Sequence, residues 1–190
     1  MNKNISRIAL AITAAALTFS SCKKDKDAPV PDEQEVITTV QLLVSNSSGF
    51  SRTFTYKIEN GFNNSTPGTI QIDTIKLPAG QVFDGTINVL NEKETPVEVI
   101  TDEIKEKNLE HLFVFLSAPA TGAGSMSVTD GDKDDNGKPL NLHFKLHTGD
   151  AGSGAFTIQL MHQPVNKEGT TAATAGGETD LLTTYPVVLQ

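Results

Sequence analysis

Apolar and polar residues alternate along most of this chain with a period of two. In residues 53–59, Phe54, Tyr56 and Ile58 fall on one face and Thr53, Thr55 and Lys57 on the other. Successive side chains of a strand point to opposite faces, so this pattern marks a half-buried strand. Strands are predicted over 36–44, 53–59, 69–77, 82–90, 112–117, 125–129, 140–148, 155–162 and 180–189. Gly, Asn and Pro punctuate them, as in the loop 61–68 and at Pro78 to Gly80. Residues 101–111 break the period and predict one short surface helix. Thr101 is its expected N-cap, and Asp102 and Glu103 suit the helix dipole in the first turn. The loop 165–179 holds three glycines and no core former after Val165. Nine strands with almost no helix predict an all-β fold. The expected form is an antiparallel β-sandwich, immunoglobulin-like or a related Greek key, with a closed β-barrel as the alternative. Alternating faces favour antiparallel pairing over buried parallel strands.

The first residues follow a different rule. Lys3 and Arg7 give a basic start, 8–19 is apolar or small throughout, and Ser20 and Ser21 lead to Cys22, the one cysteine of the chain. This is the layout of a secretory signal peptide ending at a lipoprotein cleavage site. An apolar run of about a dozen residues is too short to span a bilayer, which takes about 20. The sequence therefore predicts a signal peptide over 1–21 and lipid attachment at Cys22. Phe19 stands three residues before the cysteine, where leucine is usual. A diacyl or triacyl anchor holds a protein to a membrane without a spanning helix. Residues 22–35, charged and carrying Pro29 and Pro31, read as a tether, and 36–190 as the folded domain.

The formal charge of the 190-residue chain is −8, and it becomes −10 without residues 1–21, which hold two cations and no acid. So acidic a chain is repelled by phosphate backbones, which argues against a nucleic-acid partner. With Cys22 lipidated no disulfide can form, and stability falls to the hydrophobic core.

The most distinctive polar motif is Asp132-x-Asp134-x-Asn136-Gly137, the first half of an EF-hand-type calcium loop. The twelfth position of such a loop needs a bidentate Glu and here holds His143. Asp132, Asp134 and Asn136 are thus candidate calcium ligands. The competing reading is a polar hairpin tip, in which Asn136-Gly137 forms a type I′ turn and the acids keep ordinary pKa values. His143 and His147 are spaced as a chelating pair only on a helix. On a strand they lie about 13 Å apart, beyond the reach of one metal, and are expected to face outward beside Lys145. His162 shares the parity of Phe156, Ile158 and Leu160, and His111 has no evident partner. If 140–148 and 155–162 pair as a hairpin, His162 and His143 take opposite faces. No serine sits in a nucleophile elbow, and the chain has no Trp and two Tyr with which to stack sugars. An enzyme, specifically a hydrolase, is therefore the least supported class.

Cys22-Lys-Lys-Asp-Lys-Asp27 resembles the start of mature lipoproteins of the Bacteroidota, where a charged, acid-containing stretch accompanies export to the outer face of the outer membrane. Farther along, Ile37-Thr-Thr-Val40, the Asp132 to Gly137 tip, His162-Gln-Pro164 and Gly176-Gly-Glu-Thr-Asp180 resemble a group of Bacteroidota outer-membrane lipoproteins. What the resemblance implies is work beside TonB-dependent receptors that take up nutrients or metal complexes. It assigns no activity and no ligand residues, and Gly176 to Asp180 also reads as a bulge-and-turn device. The combined expectation is a non-catalytic protein, lipid-anchored at the outer membrane. It would face the cell surface (alternatively the periplasm) and act as a ligand-binding or accessory subunit of an uptake receptor. The loops 61–68, 119–124 and 165–179 are its expected contact surface. A structural or adhesive surface protein with a calcium-stiffened hairpin is the alternative.

Overall fold

The computed structural model describes residues 36–190; the predicted signal peptide, Cys22 and the tether lie outside the described residues. The chain builds an all-β sandwich of two sheets. The strands are β1 (Thr39–Ser45), β2 (Ser51–Ile58), β3 (Ile70–Ile72), β4 (Ile75–Leu77), β5 (Val82–Leu90), β6 (His111–Ala118), β7 (Met126–Thr129), β8 (His143–Thr148), β9 (Gly152–His162) and β10 (Glu178–Leu189). Sheet A runs β3-β2-β1-β5-β8-β7 and curls into a half-barrel; sheet B runs β4-β10-β9-β6. The alternation read from the sequence decides which side chains face inward. In β5, Phe83, Gly85, Ile87 and Val89 are buried while Asp84 is exposed. Leu42, Phe113, Ile158 and Leu181 meet them in one continuous core.

Several boundaries differ from the sequence expectation. Residues 69–77, predicted as one strand, split at Asp73. β3 pairs with β2 in sheet A, and β4 pairs with β10 in sheet B. Asp73 makes the break: its N–H donates to Thr55 O (2.9 Å) and its carboxylate accepts from Thr55 N–H (2.8 Å), which ends the ladder. The β4–β10 pair is parallel, an exception to the antiparallel rule that holds for every other named pair. β8 and β9 do not form a hairpin, since they belong to different sheets. Leu140 and Leu142 are buried but precede β8 in irregular backbone, with Asn141 at φ 62°.

The predicted helix is α1 (Ile100–Glu106), followed by one 3-10 turn at Asn108–Glu110. Thr101 is not its cap. Val99 holds that place, with no side-chain cap. Thr101 is buried, where its Oγ1 accepts from Val89 N–H (2.6 Å) and donates to Asn88 Oδ1 (2.8 Å). Ile100 and Ile104 enter the core, so α1 is packed into the domain by its apolar side instead of lying free on the surface. A second short helix, α2 (Ala172–Ala175), forms within the loop 165–179. Thr171 and Thr174 build a reciprocal capping box at its start. Ala175 is fully buried against Leu112, Val114 and Met161 on the outer face of sheet B. The Gly176 to Asp180 run is the bulge-and-turn device expected: the β9–β10 register shifts between Thr179 and Leu181, and Gly177 sits at φ 82°.

Tyr185 of sheet B reaches across the core and donates its hydroxyl to Val40 O of sheet A (2.9 Å). Burial pushes its phenol well above the usual range, so it stays a donor. Replacing it tests the tie between the sheets. Tyr185→Phe should lower stability by about 1–2 kcal/mol through the lost bond and the stranded carbonyl, read as a fall in Tm of a few degrees; an unchanged Tm would show that the bond carries no weight.

Candidate binding groove

The two sheets meet differently on their two sides. On one, Asp73 and Thr74 carry the chain from β3 directly into β4. On the other, the edge strands β6 and β7 lie side by side without pairing. Between them runs a groove of about 580 Å³. Phe113, Phe115, Met126, Val128 and Phe156 belong to its apolar lining, and Thr129, Asp130, Asn141, Lys167 and Glu168 are among its polar residues. Phe115 stacks on Phe156 (5.8 Å, 9°) and tilts against Phe144 (4.7 Å), which fixes the groove wall. Two of the three expected contact loops reach it: Ala120 from 119–124, and Gly169 to Thr171 from 165–179. The loop 61–68 is not in the lining. It is tied elsewhere, with Asn63 Nδ2 donating to Asp180 O (3.0 Å).

The Asp-rich tip is docked, not a free solvated turn. Asp134 is only 7% exposed. Its Oδ1 accepts from Asn136 N–H (2.9 Å) and Lys138 N–H (2.8 Å), and its Oδ2 accepts from Lys167 Nζ (2.6 Å). Lys167 also donates to Asn108 O (2.6 Å), and Asn108 Oδ1 accepts from Asp135 N–H (3.0 Å). Tip, 3-10 turn and the 165–179 loop are thereby clamped together beside the groove. The turn itself is not type I′, because Gly137 takes positive φ (75°) and Asn136 does not. Gly137 N–H bonds to Asp134 O and Asp134 N–H to Lys138 O, the pattern of a type I turn followed by a left-handed glycine.

This geometry assigns the predicted calcium ligands other work. Asp132 Oδ1 accepts from Leu142 N–H (2.6 Å) and His143 N–H (3.1 Å). Asp134 is held by Lys167, and Asn136 serves it through its backbone. Among the described residues no group of three His, Cys, Asp or Glu is placed to hold a metal ion. Asp134 also departs from the ordinary pKa expected of it. Burial alone would raise its carboxyl, but the Lys167 ammonium and the N–H groups of Lys138 and Asn136 outweigh that and hold it low.

His143 and His147 face outward on β8 as expected, in hydrogen bonds with Thr86 (3.0 Å) and Thr129 (2.8 Å). His111 gains a partner that the sequence did not suggest: it is buried and stacks on His162 (5.2 Å, 12°). The two are directly opposed across β6 and β9. Burial pushes the His111 imidazole down, against the pull of its bond to Lys107 O. Phe50 and Phe62 pack on Phe83 and Tyr56.

No helix among the described residues is long and apolar enough to cross a membrane. No protein-family model matches the chain, and no curated protein or solved structure is significantly similar to it.

Two predictions follow the charges. Asp134→Asn leaves Lys167 buried without its counter-charge and should cost about 3 kcal/mol at neutral pH, measured by urea unfolding; a loss below about 0.5 kcal/mol would mean that the clamp is idle. The second concerns pH. A lowered carboxyl contributes stability above the unfolded value near 4, lost as pH falls through the folded value. A lowered histidine contributes fully above about 6.5, and that contribution falls as pH drops from there toward the folded value. Wild-type stability should therefore decline in two steps on acidification. His111→Gln should remove the step just below neutrality and Asp134→Asn should shrink the acid one, to which the lowered carboxyls of Glu59 and Glu92 also contribute; identical profiles in both variants would contradict the assignment.

Proposed function

We propose that this protein is a non-catalytic binding module of the bacterial envelope, held by lipid on Cys22 at the outer membrane, where it serves as an accessory subunit of an uptake receptor. The observation that carries the reading is the β6–β7 groove. Its volume of about 580 Å³ lies in the range of ligand sites. Its apolar floor, flanked by polar side chains, matches what such sites need to hold a ligand. The polar groups beside it are engaged structurally. Lys167 is tied to Asp134, Glu168 to Lys138 (3.0 Å) and Asn141 Nδ2 to Phe113 O (2.9 Å). They stiffen a recognition surface and are not arranged as a nucleophile with its base. Anchorage rests on the sequence of residues 1–22 alone, and the receptor partnership on the lipoprotein resemblance.

The test is recovery from native membranes. Protein tagged after Gln190, purified after mild solubilisation, should bring down a barrel receptor in near-equal amount, and the Cys22→Ala form should not. Recovery of the wild-type protein alone would overturn the accessory role.

A further inference from the structure

Four strands form the edges of the two sheets, and they are not alike. β3, β4 and β7 have three, three and four residues, so they leave little backbone to pair. Short edges are one way natural sheets avoid unwanted pairing, and charged edge residues are another. β6 uses neither device. It is eight residues long, His-Leu-Phe-Val-Phe-Leu-Ser-Ala, with no Lys, Arg, Asp or Glu.

Part of that edge is capped from within. Phe113 N–H points away from β9 and donates to Leu140 O (2.9 Å), while Phe113 O accepts from Asn141 Nδ2 (2.9 Å). At the far end Ser117 bonds only through its side chain, its Oγ accepting from Met126 N–H (2.9 Å). Phe115 lies between this tie and the cap on Phe113. In an antiparallel ladder, residues two apart turn their backbone groups the same way. Phe115 therefore aims its N–H and C=O at the open side with Phe113, and it lines the groove. Among the described residues β6 has no strand partner there.

We infer that the groove's ligand is an extended polypeptide segment of a partner protein, which pairs with the backbone of Phe115 and adds a strand to the β6 edge. This rests on the reading of the groove as a binding site and names what fills it. A donor and an acceptor set side by side on one strand residue match one residue of another strand. Side-chain alternation in the incoming segment then sends one apolar group down onto Phe115, Met126 and Phe156 and the next out to solvent. Charge narrows the class further. Lys167 and Glu168 are paired, so Asp130 presents the lining's remaining carboxylate, on a chain of net charge −8. The fitting segment alternates apolar and small polar residues and carries Lys or Arg at its ends.

The probe is the peptide Lys-Thr-Val-Thr-Phe-Thr-Val-Thr-Lys, with two analogues N-methylated at alternate residues in opposite phases. Methylation keeps every side chain and removes the N–H groups of one strand edge. Titrated into the full-length protein as its cell processes it, the parent peptide should bind. One analogue should lose about tenfold or more in affinity, as loss of paired backbone bonds requires, and the other should bind within about threefold of the parent. Val128→Arg should weaken the parent peptide by filling the groove. Equal binding of both analogues would overturn the inference in favour of side-chain capture alone. Absence of peptide binding would overturn it too, and Nile red then separates the causes. Dye bound by wild type but not by Val128→Arg would leave the groove a site for another ligand class; dye bound by neither would remove the groove reading itself. A dimer broken by Val128→Arg, with no peptide bound, would hand the β6 edge to a second copy.

Discussion

Every sheet that does not close on itself ends in strands whose outer backbone groups have no ladder partner, and those groups must be hydrated, capped or paired. This constraint shapes the whole molecule. Two sheets bury one apolar layer between them and produce four edges. On one side the chain crosses at Asp73 from β3 to β4, and both edges there are three residues long. On the other side the crossing from β6 to β7 takes the longer loop 119–125, and β6 faces β7 across a groove. The segment holding Leu140 and Asn141 caps part of the β6 edge with one backbone and one side-chain hydrogen bond.

That cap has to be held in place, which gives the Asp-rich segment its structural role. Asp132 gathers the N–H groups of Leu142 and His143, just beyond the capping residues. Asp134 pins the neighbouring turn to Lys167. The Lys167 loop continues into α2, whose Ala175 is buried on the outer face of sheet B. A desolvated carboxylate is tolerable here because an ammonium and two backbone donors answer it.

Much of the fold was legible because alternation is a local property. Strand β5 begins and ends where its pattern does, at Val82 and Leu90. The outward facing of His143 and His147 follows from parity alone. Legibility failed where a residue's partner is distant in sequence. Nothing local in 69–77 says that Asp73 will bond to Thr55 and break the strand. Thr101 looks like a cap by composition, yet it is drawn inward to satisfy Val89 N–H. Asp134 looks solvated because Lys167 lies 33 residues away. The groove was hidden for the same reason, since its two walls belong to strands of different sheets. The one signal that could have flagged it was the uncharged run from His111 to Ala118.

The amino-acid pattern was enough for the secondary-structure class, the inward and outward sets of most strands, and the loop positions. Each depends on neighbours a few positions apart. Tertiary structure alone decided the strand order, the division of strands between sheets, the burial of Asp134 and His111, and the exposed edge at Phe115. Those depend on which distant backbone and charged groups find one another once the apolar faces have left water.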